Sequence, residues 1–553
     1  MNIEININDK RKINVPANTT IKEIVNNNKD LLDRPIVGAK VNNEIVSANY
    51  KVNKDANITL FDNTDINGYK MYQAGLKFVL EAAIKTIYGG ITEVIFDHSI
   101  GRGIHATIKN VLFEEKDLPV LKNTMQSFID KDLEFTKINV DAKEAMTYYK
   151  KINQNEKAIN IHNVSNQIVV FYKLNNFLNY YYVDMPFSTK CLDKFDILFV
   201  NNNEIVLMFP EDTKDINKQL ENYMNVIESF KSRDEWLDKL NIPYISDINK
   251  VISEGNILEI VRTCETNFNN RIFEIARSVI YRGAKYLMLA GPSSSGKTTT
   301  AKKLCLTLKS MGMEPLLIST DDYFKDKKDS PKNEDGSYNF EGLDAIDIEI
   351  LNKDLKSLIN NEEVNVPQYN FLKGMKEFGN RKVKLGNNGI IVIEGLHSLN
   401  DELTKGIDPN LKYKVYLSPF ISVNIDRHNY ISSTDLRLLR RMIRDNNNRG
   451  TDPISTIESW HTVRTGEEEN IFPFISQADV IINTALPYEV GVLKVYALPL
   501  LFSITTDSPY YEEARRLIDF LRTFFEIPSE YVTNESIIRE FIGGSAFRER
   551  GEK

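Results

Sequence analysis

Tyr286-Leu287-Met288-Leu289-Ala290 runs without interruption into Gly291-Pro292-Ser293-Ser294-Ser295-Gly296-Lys297-Thr298, and a segment of helical character, 298–312, follows. The apolar run reads as a buried strand and the glycine-bracketed stretch as a loop whose backbone N–H groups turn inward to cradle phosphates. Lys297 is spaced to reach the β and γ phosphates, the Thr298 hydroxyl to ligate Mg²⁺, and the helix starting near Lys297 to aim its positive end at the anion. Gly291, Ser293, Ser294, Ser295, Gly296, Lys297, Thr298 and Thr299 are therefore the candidate nucleotide-binding residues. The alternative, a chance glycine-serine turn, does not account for the strand before it and the helix after it.

Outward from this loop, apolar strands (YLMLA, PLLIST, GIIVIEG, KYKVYLS, DVIIN) alternate with helical segments from 281 to 490. That alternation predicts a parallel sheet flanked by helices, with ligands at the carboxyl ends of the strands. Asp321-Asp322-Tyr323-Phe324 follows the second strand and puts two carboxylates at the sheet edge, where one could orient an attacking hydroxyl and accept its proton. A helix cap or a solvated turn is the other reading of that pair. Glu394 leaves a buried strand and is either a second acid near a metal or a strand-terminal acid without a ligand. Arg441, Arg444 and Arg449 recur on one helix and its end. Their guanidinium forks suit a lid over a transferring phosphoryl group, and a solvated basic face is the bland alternative.

Together with NFEGLDAID (339–347), VPQYNF (366–371), IVIEG (391–395) and RRMIRDNNNRG (440–450), these segments resemble the uridine kinase and phosphoribulokinase group of P-loop kinases in order and spacing. The resemblance implies an ATP- or GTP-dependent kinase using Mg²⁺, which transfers the γ-phosphoryl group to a primary hydroxyl, most simply the 5′-OH of a nucleoside. It further implies Asp321 as base and metal contact, Thr298 and Glu394 as metal ligands, and Lys297 with Arg441, Arg444 and Arg449 as the catalytic cations. Tyr323, Phe324, Glu341, Tyr369 and Phe371 become the acceptor-binding set. Three departures put pyrimidine specificity in doubt: Glu341 stands where the group carries an aspartate, Gly374 where it carries a base-reading histidine, and Thr451 where an arginine follows the Arg-Gly pair. A pocket lacking those donors cannot reject other bases through unpaired polar groups. A second reading is an RNA-linked regulatory protein in which the P-loop is a nucleotide switch.

The 553 residues imply three or four units. Hydrophobic content of 42% and charged content of 26% are those of a globular chain, and no apolar run suggests a membrane partner. The start lacks an apolar signal core, and three scattered cysteines suggest neither a zinc site nor a disulfide framework, so a cytoplasmic location is expected. A net charge of −8 argues against indiscriminate nucleic-acid binding. Residues 1–62 read as ββαββ with Thr19 or Thr20 as N-cap, a β-grasp module resembling the TGS domain of threonyl-tRNA synthetases. Residues 63–225 resemble the α+β second domain of threonyl- and alanyl-tRNA synthetases. The four polar ligands of that family's hydrolytic site correspond here to Gly75, Val79, Val183 and Phe187, which implies a retained fold with the chemistry lost. His98 and His105, separated by Gly101 and Gly103, read as residues of a hairpin. Residues 226–280 read as a helical linker, and 491–553 as a strand-like apolar piece followed by an amphipathic docking helix and tail. The expected fold class is thus multidomain α/β and α+β, and the expected partners are a nucleoside-like acceptor, structured RNA or an amino acid at the front half, and a second copy of the chain.

Overall fold

All five residues of Tyr286–Ala290 are buried, as a strand apolar on both faces requires. The strand takes the centre of a five-stranded parallel sheet in the order Glu314–Ser319, Gly389–Glu394, Tyr286–Ala290, Lys412–Ser418, Val480–Asn483. The computed structural model describes residues 2–164, 167–209, 216–332, 338–370, 373–379, 381–420 and 423–547, with 216–223 and 225 by backbone alone. Period-two alternation divides the sheet's side chains between two layers. Leu287 and Leu289 join the core formed with helices Ile257–Arg282, Lys297–Ser310, Ser433–Arg449 and Glu489–Phe502, whereas Tyr286 and Met288 face helix Ile348–Ile359. All the carboxyl ends therefore emerge on the edge that carries the phosphate-cradling loop. No described helix is long and apolar enough to cross a membrane.

The apolar piece that opens 491–553 differs from its expected strand-like form. It belongs to helix Glu489–Phe502, which contains Pro499 and buries Val490, Val492, Leu493, Ala497 and Leu501. Apolar runs have no periodicity to separate helix from strand, and this one exceeds ordinary strand length. Helix Tyr511–Arg522 packs against it, and the chain then returns through Arg539–Ile542 to the phosphate loop.

In the first 62 residues, strands Asn2–Ile7, Arg11–Pro16, Gly38–Val41, Glu44–Val46 and Ala56–Phe61 form one mixed sheet over helix Ile21–Asn26. Thr20 and Glu23 close a reciprocal capping box at the start of that helix. The next unit sets helix Ile66–Tyr88 against the antiparallel sheet of Glu93–Ile100, Gly103–Lys109, Glu204–Met208 and Asp196–Asn201. His98 and His105 face each other across the hairpin, stacked at 4.9 Å between ring centroids. Gly75 lies tight against its neighbours, since a β-carbon there would stand 2.8 Å from Pro186 Cγ.

The two halves are joined by a polar knot. The segment 423–432 of the C-terminal half enters the second unit, where Asp426 and Lys157, both fully buried, lie 3.6 Å apart. Asp426 also accepts from the His428 and Asn429 amides and the Tyr180 hydroxyl, while Lys157 donates to Asn179 Oδ1 at 2.5 Å. Arg427 pairs with Glu156 and Glu93 at 2.7 and 2.6 Å, and Asn424 donates to the Asp97 carbonyl at 2.9 Å. Removing one member of such a pair leaves a charge stranded in low dielectric. Asp426→Ala is expected to destabilise the chain by about 3–5 kcal/mol in chemical denaturation, whereas a surface change such as Lys54→Ala should shift it by less than about 0.5 kcal/mol.

Candidate active site

Backbone conformation and buried side chains together shape the loop from Gly291 to Thr298, in which the Ser293 amide donates to Glu467 Oε1 at 3.1 Å and the Ser295 amide to the Pro292 carbonyl at 3.2 Å. Ser294 and Gly296 adopt positive φ of 59° and 84°, and a β-carbon at Gly296 would fall 2.3 Å from Ile537 Cδ1, so glycine is required there on both counts. Two buried guanidiniums of helix Ser433–Arg449 hold the loop from outside. Arg437 donates to the Ser293 carbonyl at 2.9 Å and Arg440 to the Ser294 carbonyl at 3.2 Å. Each is itself clamped by a buried acid, Arg437 by Glu467 and Arg440 by Glu489. Lys297 folds back onto its own loop, donating to the Gly291 and Pro292 carbonyls at 2.9 and 3.1 Å.

Carboxylates face this loop from the strand ends. Thr298 Oγ1 lies 3.4 Å from Glu394 Oε1. Burial, reinforced by Asp321, pushes the Glu394 carboxyl up to about 7, against the pull of Lys297. Asp321 is open to solvent at its tip, yet it sits in a cleft walled closely enough that desolvation raises it, while Lys297 and Arg449 pull it down. Glu341 is also raised, by desolvation and then by Glu467, with Arg441, Lys297 and Asp321 within electrostatic reach. Gly466 makes room for it, since a β-carbon there would lie 2.7 Å from Glu341 Cβ. Lys297, Asp321, Glu341, Glu394 and Arg441 therefore form one electrostatically linked group beside the loop. The hard oxygen donors of Thr298, Glu394 and Asp321, two of them carboxyls raised chiefly by burial, are a donor set that fits Mg²⁺.

The lid arginines are gathered by one residue. Asp445, 3% exposed, pairs with Arg441 at 3.3 Å, Arg444 at 2.8 Å and Arg449 at 3.4 Å. Arg441 also reaches the Ser293 hydroxyl at 3.1 Å, which ties the lid to the phosphate loop.

Among the acceptor residues, Tyr323 is a correction. It is fully buried in the core with its hydroxyl donating to Asp354 at 3.0 Å, because the turn after Ser319 directs it toward helix Ile348–Ile359 and away from the cleft. Phe324 and Tyr369 are edge-to-face neighbours at 5.7 Å, and Phe340 joins them. Gly374, at φ 65°, turns the hairpin Gln368–Asn370/Met375–Glu377 against Lys327. Phe371 lies outside the described residues.

Residues 287–489 match the model of the phosphoribulokinase/uridine kinase family. A uridine kinase of Borrelia duttonii is 32% identical over 199 residues, which span 36% of this chain and 85% of that protein. The chain belongs to this family. Uridine kinases of Halobacterium salinarum and Deinococcus deserti are each 28% identical, over 77% and 84% of their lengths. A kinase phosphotransferase of a family that in general uses ATP and Mg²⁺ thus occupies the C-terminal half, where the family model spans 287–489.

Sequence reasoning missed the residues that act through others. Arg437 and Arg440 sit beside the recognised arginines but brace the loop, and Asp445 organises the lid. Glu540, contributed by the C-terminal tail, was invisible to any local pattern. Its Oε2 accepts from the Thr299 hydroxyl at 2.6 Å and the Thr299 amide at 3.3 Å, in the first turn of the P-loop helix. A carboxylate there competes with donor phosphate for the same donors. Glu540→Ala is expected to tighten nucleoside triphosphate binding by roughly threefold to thirtyfold in calorimetry, and weaker binding would count against the competition.

Glu394 carries a pH signature. Folded, it keeps its proton up to about pH 7, whereas unfolded it ionises near its ordinary 4.5. Between those values the unfolded state binds fewer protons, so this residue's contribution to stability falls as pH rises. In metal-free buffer, Glu394→Gln should gain stability relative to the parent chain between pH 4.5 and 8, by a free energy on the order of 3 kcal/mol, read from melting curves across that range.

Proposed function

We propose that the chain is an ATP- or GTP-dependent kinase that phosphorylates a primary hydroxyl, the 5′-OH of a nucleoside being the acceptor that fits best. The observation that carries this reading is that the phosphate loop, Asp321 and Glu394 stand together at the sheet's carboxyl edge, with Thr298 Oγ1 3.4 Å from Glu394 Oε1. The amides of 291–298 hold the donor's phosphates, and Lys297 exchanges its carbonyl partners for them. Thr298, Glu394 and Asp321 would hold Mg²⁺, which when bound neutralises charge on the donor phosphates. Asp321 orients the acceptor hydroxyl and takes its proton, a role that its raised affinity for protons favours. Arg441, Arg444 and Arg449, gathered by Asp445, meet the charge developing on the transferring group.

Glu341 would accept hydrogen bonds from a vicinal diol, and its chain neighbour Phe340 is backed by the buried rings of Phe324 and Tyr369. With glycine at 374 and threonine at 451, no side chain of those two positions reads a pyrimidine edge, so broad base tolerance is part of the proposal. Measuring ADP release across uridine, cytidine, adenosine, guanosine and inosine tests it. One or more nucleosides should stimulate turnover, and Lys297→Ala and Asp321→Asn should each lower it by about 10²-fold or more. Failure of every nucleoside to stimulate nucleotide consumption would sink the reading. Asp445→Asn should lower turnover with little change in acceptor KM, since it frees the arginines to disperse without touching substrate.

A further inference from the structure

A cavity of about 350 Å³ opens where the first two units meet helix Tyr511–Arg522, and no phosphate-loop residue lines it. Its size falls within the roughly 300–1,000 Å³ of small-molecule sites. Tyr172, Tyr180 and Tyr182 supply an aromatic wall. Five cations line it against three carboxylates, and two of the cations stand at its rim: Arg515 and Arg522 are 44% and 55% exposed, in ion pairs with Glu512 and Asp519. The Arg522–Asp519 pair is exposed on both sides and so holds its partners weakly. The interior also contains an unsatisfied acceptor. Asn160, 1% exposed, lines the cavity, and its Oδ1 has no hydrogen-bond partner among the described residues. Buried acceptors normally find donors, so this one points to a ligand that brings one.

We propose that this cavity binds a small aromatic anion of nucleoside monophosphate size. Its ring lies against the tyrosines, its anionic group meets Arg515 and Arg522, and an N–H or O–H donor satisfies Asn160. The cavity adjoins an ion-pair relay that ends at the lid. Lys70 and Arg516 both line it, and both pair with Glu513, at 2.7 and 2.8 Å. Arg516 also grips Asp435, in the first turn of helix Ser433–Arg449, through two bonds of 2.8 and 2.7 Å. A ligand that draws on Lys70 or Arg516 thereby biases the helix carrying Arg441, Arg444 and Arg449. Binding stands independently of the reaction, and only the effect on turnover rests on the phosphotransfer reading.

Calorimetry on the full chain with UMP, AMP and inorganic phosphate tests the site. At least one monophosphate should bind the Lys297→Ala protein. Its affinity should fall about tenfold or more in the Arg515→Ala/Arg522→Ala double variant, whose exposed positions spare the fold, while triphosphate binding stays unchanged. Val183→Trp, which fills the cavity, should have the same effect. The site is overturned if neither monophosphate binds the Lys297→Ala protein, or if binding ignores both sets of cavity substitutions. Phosphate alone binding as tightly as the monophosphates overturns the aromatic part of the assignment. Turnover that stays constant as the site fills overturns the coupling, whereas a chain that phosphorylates no nucleoside refutes the kinase reading and leaves the binding result standing.

Discussion

A phosphate-cradling loop has to offer its N–H groups to an anion, so its shape must be held from outside. Here it is held by fixing both sides of the backbone. The Ser293 and Ser294 carbonyls are taken by Arg437 and Arg440, while the Ser293 amide donates to Glu467 Oε1 at 3.1 Å and the Ser295 amide to the Pro292 carbonyl at 3.2 Å. Two buried guanidiniums would be untenable without Glu467 and Glu489, which come from segments far along the chain. The loop's geometry therefore depends on the whole C-terminal half being assembled, and the helix that clamps the loop is the same one that carries the lid.

That helix is in turn fixed by the front half. It begins at Ser433, capped by Ser432, immediately after the segment 423–432 that is locked into the second unit through Asp426 and Arg427. Its first turn is held again by Arg516, itself shared with Lys70 of the second unit through Glu513. Two separate polar contacts thus anchor the lid's origin to residues outside the region 287–489 that matches the kinase family. The front half is consequently part of the mechanical frame of the active site, whatever else it binds.

The parts legible in the sequence were those governed by local rules. The five parallel strands, the phosphate loop and the acidic ends at Asp321 and Glu394 follow from apolar runs, glycine placement and strand-end position, each readable within about ten residues. What escaped was settled by tertiary context. Helix Glu489–Phe502 is apolar enough to read as strand, and only its burial against the core decides its form. Tyr323 shares a tetrapeptide with Asp321 yet turns into the core, because two residues along a 3₁₀ turn rotate a side chain by about 240°. Arg437 and Arg440 share a helix with the lid arginines, and composition cannot tell a guanidinium that braces a backbone from one that faces a ligand.

Glu540 carries this dependence on distant chain to the phosphate loop itself. The tail that bears it is no loose end: Ile537, Ile538 and Phe541 are fully buried, and Arg440 lies over the Phe541 ring at 4.8 Å. The clamp residue Arg440 therefore touches the loop on one side and the tail on the other, while Ile537 occupies the space that only a glycine at 296 leaves. A change that dislodged the tail would open the space over Gly296, uncover the buried face of Arg440 and remove the carboxylate from Thr299 together. Because those three contacts meet within one turn of the P-loop helix, the tail and the phosphate loop can be perturbed only jointly. The C-terminal segment thus borders the phosphate loop, although it lies about fifty residues beyond the end of the family match at 489.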